Sequence, residues 1–307
     1  MKHRFSLALP TGYRVQDVLA FHSRDAESVA EQVSPEAIRK GMLLGGVPVV
    51  LSVALPKGRA RSVACEADAE LPRARKVPPA LAALIEAAAR NILGLHIDPA
   101  PFVAFAREDA LLGPLVVRQP GLRIVQSATV FEALTWAIIG QQINLSFAIA
   151  LRRTFILQAG RQHKDGLWCY PEAADVAKLT VEDLTTRKFS RAKAETLIRC
   201  AQLVAAGELD IEERADNPIP AICKNLLAVK GIGPWTVNYA LLRGYGYADC
   251  SLHGDVAIRA ALQRLLGEES KPDMARTEQI LQRWQPHRTM AAAHLWASLA
   301  DRPNESA

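Results

Sequence analysis

Apolar and polar positions follow two different rhythms along this chain, and the change falls near residue 77. Upstream, residues 4–10 and 47–55 have strand character, the second run rich in Val, and both lie among Gly and Pro, which predicts strands. Residues 62–70 partly alternate and predict a further strand. Residues 15–22 and 35–40 are expected as short helices between them. Together these segments predict a small α/β domain with an antiparallel sheet. A stretch rich in Arg, Lys and Pro at 73–79 reads as the linker that closes it.

Downstream, the apolar positions recur at helical spacing. Helices are expected over 80–93, 99–107, 129–139, 144–159, 191–206, 255–266, 273–284 and 289–299. Two prolines precede the first of these and Gly94 follows it. Ser190 is placed to cap 191–206. The fold class is therefore α+β, a small N-terminal antiparallel α/β domain followed by an all-helical core.

One stretch interrupts the helical rhythm. Residues 226–255 read LLAVKGIGPWTVNYALLRGYGYADCSLHGD. A helix is expected to end at Lys230, and Gly231 and Gly233 allow a tight turn with positive φ. Pro234 suits the first position of a second helix, ending near Gly244. The turn and second helix would then present backbone N–H groups suited to a phosphate. Asp255 stands before the run Val-Ala-Ile-Arg-Ala-Ala-Leu, where it makes a good N-cap. A helix N-terminus also favours negative charge. A phosphate-binding hairpin followed by one such carboxylate points to chemistry on DNA.

Composition narrows the picture a little. Half of the 307 residues are apolar, ample for buried cores, and the net charge of +5 permits a polyanionic partner. The five cysteines, Cys65, Cys169, Cys200, Cys223 and Cys250, are scattered and form no close pair. That pattern fits a reducing compartment and lacks the clustering of an iron–sulfur centre. The longest apolar run, 43–55, is too short to cross a bilayer, and the N-terminus lacks a signal-peptide core. A cytoplasmic location is expected, nucleoid-associated if the source is bacterial.

The hairpin stretch resembles the helix-hairpin-helix DNA glycosylases, and within them the 3-methyladenine DNA glycosylase II, or alkylpurine, branch. The resemblance extends to Phe131-Glu132-Ala133-Leu134 with Ile138-Ile139-Gly140-Gln141-Gln142, and to Arg283-Trp284-Gln285-Pro286-His287-Arg288 with His294-Leu295-Trp296. It covers roughly residues 120–300; the N-terminal part matches only as the smaller domain that branch carries. It implies an N-terminal domain at 1–77 and one helical subdomain from 78–120 and 231–302, holding Asp255. A second subdomain, 121–230, would hold the wedge loop and first hairpin helix, and 303–307 would be a flexible tail.

The resemblance makes Asp255 the catalytic carboxylate. One carboxylate suffices where ordinary glycoside hydrolysis uses two. A purine alkylated at N3 or N7 is already cationic and leaves without a strong general acid. A fixed anion then stabilises the sugar cation and positions water. In relatives that also cut the backbone, a lysine amine at the position of Trp235 attacks the sugar. Tryptophan cannot, so a monofunctional enzyme leaving an abasic site is implied.

Trp235, Tyr239, Trp296 and Gln141 are expected around the base. Trp235 and Tyr239 share a helical face, and electron-rich rings attract a cationic base. Tyr239 fits either the pocket or the core, and Gln141 either the pocket or the opposite strand. Gln142 is the expected DNA wedge, more polar than the bulky apolar residue usual in that branch. Lys230, Gly231, Gly233, Arg191 and Lys193 are the expected phosphate contacts. Trp136, Trp168 and Trp284 are expected in the core, and His253 is given no catalytic role. No catalytic metal or cofactor is expected, though related hairpins hold a monovalent cation. The expected partner is double-stranded DNA with damaged bases, bound by a monomer, with no membrane contact. The alternatives are a glycosylase for uracil or a deaminated or adducted purine, and a non-catalytic binder of DNA structures.

Overall fold

The computed structural model describes residues 1–56, 58, 60–71 and 76–300. The expected linker at 73–79 lies partly, and the expected tail at 303–307 wholly, outside the described residues.

The N-terminal part contains β1 (Lys2–Ala8), α1 (Val15–His22), β2 (Glu31–Val33), β3 (Ala37–Leu44), β4 (Val47–Ala54) and β5 (Ser62–Ala69). The five strands form one sheet in the order β1-β5-β4-β3-β2, with every neighbouring pair antiparallel. The segment expected as a helix at 35–40 instead runs into β3, whose first half it supplies. The reason is the turn that follows. Gly45 and Gly46 both take left-handed backbone, φ +57° and +77°, as a two-residue hairpin requires. They zip β3 onto β4 from Leu44↔Val47 to Ala37↔Ala54. An eight-residue ladder outweighs any local helical preference.

Helix α2 (Pro79–Ile92) packs on this sheet. Its Leu81, Ile85 and Ala89 share a core with Val18, Leu51, Val53 and Ala67. The rest of the chain is helical apart from one small hairpin. It comprises α3 (Ala100–Arg107), α4 (Leu112–Arg118), α5 (Val130–Gly140), α6 (Leu145–Ala159), β6 (Arg161–Gln162), β7 (Trp168–Cys169), α7 (Ala173–Val176), α8 (Val181–Thr185) and α9 (Arg191–Ala205). There follow α10 (Ile219–Ala228), α11 (Pro234–Ala240), α12 (Val256–Leu266), α13 (Met274–Gln282) and α14 (Arg288–Ser298). Phe102, Leu134, Ile138, Phe155, Leu197, Leu242, Trp284 and Leu295 are central to the helical core.

The helix starts are set by polar side chains. Thr129, Asn144, Ser190, Asp255 and Asp273 each accept a hydrogen bond from a backbone N–H in the first turn of the helix they precede.

Sheet and helical core are joined by buried charge. Lys40 of β3, 1% exposed, places Nζ 2.5 Å from Glu31 of β2 and 2.8 Å from Glu132 of α5. Arg152 of α6 reaches the same two carboxylates at 3.3 and 2.7 Å. Burial alone would push Glu31 up, but Lys40 and Arg152 outweigh it and hold the carboxyl well below its usual range. Backbone bonds add to the joint: Leu43 N–H donates to Tyr170 O and Tyr170 N–H to Gly41 O, both at 3.0 Å. This docking brings the loop after α1 against the helical core.

Candidate active site

The hairpin forms as α10, a turn at 229–233, and α11. The first helix ends at Ala228, two residues before the expected Lys230, because Val229 already has extended backbone. Only Gly231 has the left-handed φ expected of both glycines, at +92°. Gly233 is extended, φ −107° and ψ 177°. A Cβ on Gly231 would also lie 2.1 Å from Thr196 Oγ1, whereas one on Gly233 would meet nothing within 4 Å. Gly231 is thus required by conformation and by its neighbour. Gly233 instead leaves the hairpin open to the approach of a ligand.

Gln141 follows the last turn of α5. Its Nε2 donates to Gly231 O at 3.0 Å and Thr236 Oγ1 at 2.8 Å, tying that loop to the hairpin. Gln142 beside it is exposed and has φ +55°, a conformation that costs a non-glycine residue energy and often marks a functional turn. Leu145, 53% exposed, lines the same opening. The sequence reading missed it, although an apolar residue just past a polar turn was a visible signal.

Between the α5–α6 loop, the hairpin and α12 lies a cleft of about 990 Å³. Asp255, Trp235, Tyr239, Trp296, Gln141, Gln142, Gly231 and Gly233 all line it. Asp255 caps α12, and its Oδ1 accepts from Ala257 N and Ile258 N, each at 3.0 Å. Two indoles complete its shell. Trp296 Nε1 donates to Oδ1 at 3.2 Å and Trp235 Nε1 to Oδ2 at 3.1 Å. Four N–H donors therefore fix the carboxylate, one of them alone on Oδ2. Sequence reasoning placed both tryptophans around a base and missed that they hold the carboxylate.

The rings form a connected wall. Trp235 and Tyr239 have centroids 5.2 Å apart, and Tyr239 and Trp296 6.2 Å. Trp136, expected in the core, is 9% exposed but also lines the cleft and donates Nε1 to Tyr239 Oη at 3.1 Å. Trp284 is fully buried, as expected, and Trp168 packs partly buried on the helical core. His253 faces away from this arrangement chemically: its Nδ1 lies 2.7 Å from Glu278 and 3.1 Å from Ser251 Oγ.

Not all expected residues gather here. Lys230 is exposed on the hairpin turn but does not line the cleft. Arg191 and Lys193 start α9, which reaches the hairpin through Thr196 Oγ1 and Lys230 O at 3.5 Å. Arg191 spends part of its charge on Glu182 and Glu195, at 3.4 and 3.8 Å. Burial lowers the pKa of Lys193 from the ordinary lysine value.

Two cleft residues had no sequence signal. Arg24, from the loop after α1, enters from the N-terminal part. Arg243 lies one turn beyond Tyr239, in a π-helical turn, Leu241–Tyr245, that continues α11. Such turns frequently occur at functional sites.

This architecture, a helix-hairpin-helix within a helical core, defines a class of DNA-repair folds, and comparison with known proteins agrees. Residues 135–287 match the HhH-GPD superfamily of base excision DNA repair proteins. A DNA-3-methyladenine glycosylase of Bacillus subtilis (strain 168) is 33% identical over 67% of this chain and 69% of its own. A putative DNA-3-methyladenine glycosylase of the same organism, YfjP, is 33% identical over 61% of this chain. The chain spans 65% of that relative's length. The solved 3-methyladenine DNA glycosylase of Archaeoglobus fulgidus superposes with a TM-score of 0.79 at 21% identity, covering 95% of this chain and 97% of the other, which shows a shared fold. The chain belongs to the HhH-GPD superfamily of base excision DNA repair proteins, in its alkylpurine DNA glycosylase branch.

Proposed function

We propose that the protein is a monofunctional DNA glycosylase that hydrolyses the N-glycosidic bond of alkylated purines, the 3-methyladenine and 7-methylguanine class, and leaves an abasic site. The observation that carries this is the Asp255 carboxylate, fixed by two indole and two backbone N–H groups inside an aromatic cleft. The hairpin amides and Lys230 take the DNA phosphates. Gln142 fills the gap left by the flipped nucleotide, and the base stacks among Trp235, Tyr239 and Trp296.

A cationic alkylpurine bound against those rings gains ~2 kcal/mol or more from each well-desolvated cation–π contact. As the glycosidic bond breaks, its electron pair goes to the base nitrogen, and positive charge builds on the sugar. The Asp255 anion stabilises that charge, and its Oδ2, with a single donor, retains lone pairs to orient water. Water adds to the sugar and its proton passes to solvent. Trp235 offers no amine, and its N–H is engaged with Asp255, so no Schiff base forms.

A cationic leaving group needs no Lewis acid, and we expect base release to survive EDTA. The hairpin carbonyls of Val229 and Gly231 each accept one hydrogen bond and keep a second lone pair. They are the groups that would hold a monovalent cation. The experiment is incubation with methylated genomic DNA and chromatography of the released bases, with borohydride added in parallel. Free 3-methyladenine or 7-methylguanine without a trapped protein–DNA adduct is the expected result. Release of uracil alone would favour a different lesion, and no release at all would favour a binding protein.

A further inference from the structure

The far wall of the cleft is cationic. Arg24 and Arg243 both line it, and their guanidinium carbons lie 4.4 and 4.8 Å from the centroid of the same ring, Phe21. Arg243 is also 5.4 Å from the Trp296 ring and 6.0 Å from Tyr239. Arg24 faces the Tyr239 hydroxyl. The chain of contacts therefore runs from Asp255 through the Trp296 indole to the guanidinium pair. Among the described residues, neither arginine has a carboxylate within ion-pair distance. Arg243 donates from Nη1 to Val125 O, and its Nε is buried without a hydrogen-bond partner. Arg243 is 8% exposed. Two guanidiniums thus share one ring in the cleft that also holds the Asp255 carboxylate, with Glu31 acting on Arg24 from beyond ion-pair distance.

That wall is wrong for a purine that presents an amino group to it. Guanidinium groups only donate hydrogen bonds, so an amino N–H facing them finds no acceptor. It is right for a purine that presents a carbonyl oxygen. We propose that Arg24 and Arg243 make the site discriminate among damaged purines by the group at position 6, favouring 6-oxopurines such as 7-methylguanine and hypoxanthine over 3-methyladenine. This rests on the glycosylase reading above and refines it.

The pair also extends the chemistry. A neutral 6-oxopurine such as hypoxanthine leaves with the glycosidic electron pair, and the negative charge spreads to O6. N–H groups of Arg24 and Arg243 stabilise that developing charge by donating hydrogen bonds to O6. Water adds to the sugar and releases one proton, which neutralises the departed base. No further reactant is needed. Arg24 and Arg243 are specificity-determining residues in this scheme, and Asp255 keeps its task at the sugar.

The test is single-turnover excision from three duplexes, each carrying hypoxanthine, 7-methylguanine or 3-methyladenine, by the full-length protein and by R24Q and R24K. Arg24 is open to solvent, so these variants are expected to fold. Loss of a hydrogen bond from a charged donor typically costs roughly tenfold or more. The ratio of hypoxanthine to 3-methyladenine excision is expected to fall by about that factor in R24Q, and R24K, which keeps the charge, to recover part of it. The 7-methylguanine ratio should move the same way. Equal loss on all three lesions, or no change in the ratios, overturns the proposal while leaving the glycosylase reading intact. Release of no base by the unmodified protein overturns both. Inhibition by free hypoxanthine gives a second reading that needs no turnover: R24Q should need about tenfold more, and an unchanged requirement overturns the proposal.

Discussion

At the residue scale, the site turns on one carboxylate held by two indoles, Trp235 Nε1 on Oδ2 and Trp296 Nε1 on Oδ1 of Asp255. Asp255 announced itself as a cap following a hairpin, and Trp235 and Trp296 through the resemblance to a family. That both indoles donate to one carboxylate could not be read, because it depends on how α11, α12 and α14 converge. It makes an ordered prediction. Oδ2 has Trp235 Nε1 as its one donor, whereas Oδ1 keeps two backbone donors when Trp296 is changed. Phenylalanine retains a ring but no N–H, and a hydrogen bond to a charged group contributes about 1.5–3 kcal/mol. Trp235→Phe is therefore expected to slow single-turnover base release by roughly tenfold or more, and Trp296→Phe by less. The reverse order, or no effect from either, contradicts this account of the carboxylate.

At the scale of elements, strong local signals were read correctly. The helix caps, Pro234 and the long amphipathic runs each encode their own ends. The failure at 35–40 came from judging a segment without the Gly45–Gly46 turn that pairs it. Lys230 sits exposed on the hairpin turn, so Lys230→Ala should weaken binding to every duplex alike and lower the salt dependence of binding by about one unit. A change in lesion preference with unaltered salt dependence would reject the phosphate role. His294 of α14 is 1% exposed, with Nδ1 2.9 Å from Gln119 Oε1. Burial, with Arg14 adding to it, lowers its pKa from 6.5 to about 4. The native state thus holds this ring neutral where the unfolded chain protonates it. Its contribution is complete above pH 6.5 and is lost as pH falls toward 4, an order of about 3 kcal/mol. Urea midpoints at pH 7.5 and 4.5 should differ less in His294→Leu than in the unmodified protein, by roughly that free energy; an identical pH dependence would dismiss the ring as the source.

At the scale of the whole molecule, the N-terminal part is more than an appendage. It contributes Arg24 to the cleft, and its sheet is fastened to α5 and α6 by Lys40, Glu31, Glu132 and Arg152. Neither fact was visible in the sequence. Lys40 fell in an expected helix, and Arg24 is over two hundred residues from the hairpin. Removing one partner of a buried ionic cluster leaves uncompensated charge and typically costs about 3–5 kcal/mol. Lys40→Met should lose stability on that scale in chemical denaturation. A loss below about 1 kcal/mol would mean that Arg152 alone suffices to hold both carboxylates.

The central claim is that the charge of Asp255 drives base release, and Asp255→Asn isolates it. Asparagine caps a helix about as well as aspartate, so α12 and the fold should survive, which circular dichroism can verify. Removing a major electrostatic stabiliser usually costs about 10²–10³ in rate. Single-turnover release of alkylpurines should fall by that factor while the variant still binds duplex carrying an abasic-site analogue. Release near the unmodified rate by a folded variant would show that Asp255 is only a helix cap and that the chemistry lies elsewhere.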